Sequence, residues 1–320
     1  MLFLPLVLLL AGCAALQPAR SRQVRLHADI EFDAHRALAL DIYAPRDAHA
    51  APVVVFFYGG SWLGGERGWY RFLGQALAAH GVIAVIPDYR KLPEVELPGF
   101  MRDAARAVGW VHAHIAAYGG DPQRLYLMGH SSGGHIAALL ATDPRWLAAQ
   151  GLLPSDLAGC IGLAGVYAFL PADVGDDEML GAFGTTPAQW RAAEPIAYVV
   201  GQEPPMLLLS GTDDDEVDPD NSRVFAAALR ARGDRVELHL YPEIGHSRIL
   251  LALARPRDAH APTLHDVLAF IAATAPPGAS SPAIGAAKLP LRVSPDQALL
   301  PNACATRDDS KPGPPSPTCA

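Results

Sequence analysis

The sequence predicts a doubly wound α/β domain, and three observations carry that prediction. Apolar runs of strand length recur through the middle of the chain. They are continuous rather than alternating, which suits strands covered on both faces, as in a parallel sheet. Segments with apolar residues near helical spacing lie between them, and such alternation builds a parallel sheet wrapped by helices.

The elements follow in chain order. Val24 to Tyr43 reads as two strands before the alternation starts, an antiparallel hairpin at the sheet edge. Pro52 to Tyr58 (PVVVFFY) is the strongest strand run. Gly81 to Pro87, Leu125 to Met128, Cys160 to Ala164, Met206 to Leu209 and Val236 to Tyr241 follow. Phe100 to Tyr118 carries Ala104, Val108, Val111 and Ile115 at helical spacing. Asp218-Pro219 opens a later helix, with Asp as N-cap and Pro in the first turn, and Gly233 closes it.

Composition sets the limits. Half of the 320 residues are hydrophobic and 18% are charged, so the chain can bury a core and is neither disordered nor collagen-like. A net charge of -8 excludes nucleic acid as the main partner, because phosphate binding needs a basic face. Four cysteines are too few for a disulfide-dense scaffold at this length, and Cys160, in an apolar run, reads as a buried thiol.

Three motifs fall at strand ends. Gly129-His130-Ser131-Ser132-Gly133 stands between a strand and the helical run Gly134 to Leu140, the context a G-x-S-x-G nucleophile turn requires. Its glycines leave room for a sharp turn, so that the serine hydroxyl stands clear. The acidic run Asp213-Asp214-Asp215-Glu216 follows the strand ending at Leu209. A carboxylate there can hold a histidine in one tautomer, and spacing alone leaves open which acid does so. A calcium loop is excluded, since its sixth position would need Gly and holds Asp218; a solvated acidic face is the plain alternative. His246, in Gly245-His246-Ser247 after the last strand, comes third in the order Ser, Asp, His. His260 and His265, bordering the last helix, are weaker rivals for a base, and His130 and His135 read as packing or capping residues. A fourth segment, Tyr58-Gly59-Gly60-Ser61-Trp62, follows the strongest strand, where glycines let backbone N–H groups approach a carbonyl oxygen.

Together these segments resemble the α/β-hydrolase esterases of the hormone-sensitive-lipase-like and kynurenine-formamidase-like branch. The match includes Pro87-Asp88-Tyr89-Arg90 and Tyr118-Gly119-Gly120-Asp121-Pro122, the latter also similar to isoprenylcysteine methylesterases. It spans roughly residues 35 to 273. The resemblance implies an α/β-hydrolase fold with a small cap and a serine carboxylesterase acting through an acyl-enzyme. By position it makes Ser131 the nucleophile, Asp214 the acid and His246 the base, with oxyanion N–H groups from Gly60, Ser61 and Ser132. It implies a small-molecule ester as substrate, and neither a metal nor an organic cofactor. Tyr58 departs from the family's usual H-G-G-x-W, in which the histidine orients the oxyanion loop through hydrogen bonds.

Val166 to Glu194 is long for a loop and is expected to form the cap, with Tyr167, Phe169, Leu170, Met179, Leu180 and Phe183 either lining an acyl site or packing the cap onto the core. So short a cap favours small to medium acyl groups. An arylformamidase or amidase of the same fold, and an inactive envelope binding protein, are the competing expectations.

The ends read differently. Residues 1–12 form an apolar run of signal-peptide length, and Leu10-Ala11-Gly12-Cys13 resembles the lipobox of bacterial lipoproteins. That resemblance implies cleavage before Cys13, acylation of its thiol, and membrane attachment at the periplasmic face of the cell envelope. Ala14 rather than Asp after the cysteine resembles outer-membrane lipoproteins. An ordinary secretory peptide, leaving the protein periplasmic or secreted, is the alternative. Residues 13–23 are expected to be a linker, 24–275 the hydrolase domain with its cap at about 166–194, and 276–320 a disordered Pro-rich tail. Cys304 and Cys319 in that tail are able to pair in an oxidising compartment.

Overall fold

The computed structural model describes residues 24–169, 177–254 and 261–275. Cys13, the lipobox, His260, Leu170 and the tail with its two cysteines lie outside the described residues. Val24–Asp33 (β1) and Leu38–Pro45 (β2) form the expected antiparallel hairpin. Then come Ala51–Phe57 (β3), Ile83–Pro87 (β4), Gly120–His130 (β5), Gly159–Leu163 (β6), Met206–Gly211 (β7) and Val236–Tyr241 (β8). They make one sheet in the order β1-β2-β4-β3-β5-β6-β7-β8. β2 pairs antiparallel with β4, and every later neighbour pair is parallel.

Every residue of β3 is buried. Successive side chains point to opposite faces, so both faces of the sheet are covered there, which is why the run shows no alternation. Burying each of its valines and phenylalanines contributes about 1.5–3 kcal/mol. β5 begins five residues before its apolar run: Gly120 already pairs with Ala51, while the polar Asp121, Gln123 and Arg124 hide the strand's start from a hydrophobicity reading.

The helices are Arg71–Ala79 (α1), Gly99–His114 (α2), Ser132–Thr142 (α3), Pro144–Ala148 (α4), Asp177–Phe183 (α5), Pro187–Ala193 (α6), Asp220–Arg232 (α7), His246–Leu251 (α8) and Thr263–Ala273 (α9). α2 stops at His114, short of the expected Tyr118. Its continuation tightens into a 3-10 turn over Ile115–Tyr118, ended by Gly119 at a φ of 85°. α7 begins at Asp220, two residues beyond Asp218, yet the Asp218 carboxylate accepts the Asp220 N–H at 2.8 Å and so satisfies one orphan donor as expected. α3, directly after Ser131, is buried at every position and packs on β3, β5 and β6. Cys160 on β6 is a buried free thiol, and burial pushes its pKa up to about 12.

The cap's described parts carry α5 and α6. Its entry is held by Asn221, whose Oδ1 accepts the N–H groups of Tyr167 and Ala168 at 3.0 and 3.1 Å. Thr186 and Gln189 form a capping box that starts α6. The cap aromatics pack inward. Tyr167 stacks on Phe225, 4.8 Å between centroids, within the core. Phe183 meets Trp62, His135 and Phe169 at 4.8, 5.1 and 5.0 Å.

His135 sits beneath this cluster, fully buried, with Nε2 donating to the Ala193 carbonyl at 2.8 Å. Burial lowers its pKa to about 4, and burial likewise lowers that of His130 to about 4. The unfolded chain binds these protons first, at about pH 6.5, so stability is complete above that pH and falls as pH drops toward 4. Each neutral imidazole is expected to cost about 2 kcal/mol of stability at about pH 5. His135→Gln should therefore lose about 2 kcal/mol less than the wild type between about pH 7.5 and 5 in urea unfolding. Equal losses in the two proteins would show that His135 is not held neutral.

Candidate active site

The nucleophile turn is strained where the sequence places it. Ser131, between β5 and α3, has φ 56° and ψ -126°, outside the region ordinary L-residues prefer. Its N–H donates to the Leu163 carbonyl at 3.0 Å, which ties the turn to β6. Gly133 is forced by close approach: a Cβ there would stand 2.1 Å from the Phe57 carbonyl oxygen, so α3 can lie this close to β3 only with glycine.

Asp214 and His246 meet after β7 and β8. His246 Nδ1 lies 3.0 and 2.9 Å from the two Asp214 carboxylate oxygens, with both residues buried. The carboxylate also accepts the N–H groups of Glu216 and Val217 at 3.1 and 2.9 Å. Those bonds turn Asp214 inward as an acceptor with a fixed aim. Asp213 instead faces solvent, where its carboxylate accepts the Thr212 hydroxyl at 3.0 Å. The exposed Glu216 reaches to 3.8 Å from His246 Nε2 at the rim. His265, the rival candidate, is on α9. The structure therefore brings together Asp214 and His246 out of the open set.

His246 also stands beside the turn that carries Ser131. The ring of His130, the residue before Ser131, lies 4.6 Å from the His246 ring. On the other side is the loop after β3. A Cβ on Gly59 would fall 2.9 Å from the Ser131 Cβ, so the glycine loop runs directly against Ser131. Gly60 (φ 131°), Ser61 (φ 52°) and Trp62 (φ 59°) follow in a left-handed path, and the Gly60 carbonyl accepts the N–H groups of Leu63 and Gly64 at 2.9 and 2.8 Å. The Gly60 carbonyl is thereby engaged within its own loop.

Tyr58 anchors that loop through partners that spacing could not supply. Its hydroxyl donates to Asp88 at 3.3 Å and accepts from the Lys91 ammonium at 3.1 Å. Its own carbonyl accepts the Tyr89 hydroxyl at 2.7 Å. Its ring stacks between Tyr89 and Tyr70, at 4.8 and 5.5 Å. Burial holds the phenol well above its usual pKa, so it stays a neutral donor. Asp88 passes the connection on to Arg67, which also binds Asp41 and Asp29 of the β1–β2 hairpin. The Leu92 N–H donates to the Trp62 carbonyl at 2.9 Å, closing the clasp. Among the described residues no cluster of three or more His, Cys, Asp or Glu side chains is gathered for a metal.

The prolyl oligopeptidase family matches residues 102–276, and the family BD-FAE matches residues 40–150. Isoprenylcysteine α-carbonyl methylesterase ICME of Arabidopsis thaliana is 32% identical over 235 residues, covering 66% of this chain and 54% of that protein. Esterase LipQ of Mycobacterium tuberculosis is 33% identical over 235 residues, covering 68% of this chain and 56% of that one. The chain thus spans about half the length of the curated relatives it matches. Among solved structures, the thermophilic esterase Est2 of Thermogutta terrifontis with bound propionate superposes with a TM-score of 0.63 at 25% identity, over 82% of this chain and 98% of that one. The same esterase phosphonylated by sarin gives a TM-score of 0.65 at 25% identity, over 80% and 96%.

Proposed function

The chain belongs to the prolyl oligopeptidase family of α/β-hydrolases, and on that premise we propose that it is a serine carboxylesterase for small to medium acyl esters. The observation that carries the reading is the buried Asp214–His246 pair set beside the strained turn of Ser131. Ester rather than amide chemistry is supported by the relatives, which are named as methylesterases and esterases. A short acyl group is supported by the propionate carried by the Thermogutta esterase and by a cap whose aromatics pack inward.

In this reading Ser131 Oγ attacks the ester carbonyl while His246 Nε2 takes its proton. Asp214 holds the imidazole through Nδ1 and stabilises the cation that forms. The N–H groups of Gly60, Ser61 and Ser132 receive the tetrahedral oxyanion; one such donor is worth about 3 kcal/mol of barrier. His246 then protonates the leaving alkoxide. A water, deprotonated by the same imidazole, cleaves the acyl-enzyme and returns free Ser131. Each step uses only this chain's residues, the ester and water.

The test is a pre-steady-state burst with p-nitrophenyl acetate through octanoate. One p-nitrophenol per enzyme, with kcat/KM greatest at the short or middle chains, is expected. N-formylkynurenine outpacing every ester would favour the formamidase reading. No burst, together with no labelling by a fluorophosphonate, would leave a binding protein.

The lipid anchor belongs to the same proposal. It rests on Leu10-Ala11-Gly12-Cys13, and several acyl chains on one cysteine would hold the enzyme at the membrane stably. Radiolabelled palmitate incorporated by the wild type and lost in Cys13→Ser is the expected outcome; labelling of both would remove Cys13 from the role.

A further inference from the structure

We infer that His130 is a positioning residue that spans from the base to the oxyanion loop and so sets both distances from Ser131 at once. The inference rests on the functional reading above. His130 occupies the variable position inside the Gly129 to Gly133 turn. Its two ring edges face different loops. Nε2 lies 3.1 Å from the backbone carbonyl oxygen of His246, at the start of α8. The other edge faces the loop after β3, where a Cβ on Gly59 would stand 3.2 Å from Nδ1. The ring also lies against the His246 ring at 4.6 Å and is only 6% exposed.

The physical need is clear from the elements involved. His246 is the first residue of a six-residue helix, and Gly59 to Trp62 is an extended turn with three successive positive φ angles. Neither segment has a long helix or ladder to hold it. Asp214 fixes the His246 imidazole through Nδ1, but it does not fix where the backbone of His246 sits. His130 does, because it grows from the same turn as Ser131 and donates to that backbone. Since the partner is a carbonyl, the proton resides on Nε2, and Nδ1 presents its lone pair toward Gly59. Burial and the nearby His246 both keep this imidazole neutral, lowering its pKa to about 4. It therefore adds no like charge when His246 becomes a cation during turnover. His130 touches no reacting atom; it acts through the placement of two groups that do.

The test compares His130→Leu, which keeps bulk but has no donor, with His130→Gln, whose amide can reach the His246 carbonyl. His130→Leu is expected to lower kcat for a p-nitrophenyl ester by at least about tenfold with KM within about twofold, because misplacement by a fraction of an ångström acts on the reacting geometry. His130→Gln should recover most of that loss. Wild-type kcat in His130→Leu, a loss confined to KM, or Gln no better than Leu would overturn the inference. Should His130→Leu fail to fold, imidazole nitrogen NMR of the wild type decides. A neutral ring protonated on Nε2 throughout about pH 5 to 9, and absent in His130→Gln, is expected; titration of that ring near about pH 6.5 would refute the bridge. Ser131→Ala serves as the control for the underlying reading. If it keeps the wild-type rate, the site assignment fails; if it is inactive while His130→Leu is unimpaired, only the bridge fails.

Discussion

Ser131→Ala is expected to cut kcat for a p-nitrophenyl acyl ester by at least about 10³-fold and to abolish labelling by a fluorophosphonate. The residual rate is that of bound, polarised ester meeting water without an acyl-enzyme. The substitution isolates chemistry from folding for a reason visible in the turn. Ser131 holds its φ of 56° through its backbone bond to Leu163 and through the glycines around it. Alanine keeps the Cβ and loses only the hydroxyl, so the strain already present does not grow. The urea midpoint should stay close to that of the wild type, a change worth less than about 1 kcal/mol. A variant that retains near-wild-type turnover would remove Ser131 as the nucleophile.

Asp214→Asn should cost about 10⁴ in kcat, while Asp213→Asn should stay within a few-fold of the wild type. The two neighbours differ by environment alone. Asp214 is buried, accepts two backbone N–H groups and faces His246 Nδ1 with both oxygens. An amide there can donate as well as accept, which admits the wrong imidazole tautomer and removes the charge that stabilises the cation. Asp213 points into solvent, where removing its charge is screened and costs little. The ranking is read from steady-state kinetics of the two variants side by side. The reverse order would move the acid by one residue.

Much of the scaffold was legible because its cause is local. Pro52 to Tyr58 announces a strand covered on both faces, and β3 lies between β4 and β5 with no residue exposed. The nucleophile turn is legible for the same reason, since its glycines answer to steric demands within five residues of chain. Strand starts were less so. β5 gains Gly120 to Arg124 because Gly120 pairs with Ala51 ahead of a register shift to Val53 and Leu125, and the mostly polar residues in that shift carry no apolar signature. The cap aromatics stood open between lining a pocket and packing a core. Tyr167 stacks on Phe225, and Phe183 closes on Trp62 and His135, so these two side chains serve packing.

The sequence by itself determined the parallel sheet, the serine turn, the glycine loop after the first parallel strand and the order in which the three candidate groups leave the ends of β5, β7 and β8. Each depends on residue type and on spacing within one element or its boundary. The tertiary structure turns Asp214 toward the histidine where spacing alone left three adjacent aspartates open, and only it decided what holds Tyr58 in place of an imidazole and that His130 reaches the backbone of a residue 116 positions away. These are contacts between segments distant in the chain. Their partners are chosen when the sheet brings its strand ends together, and no local pattern encodes that choice.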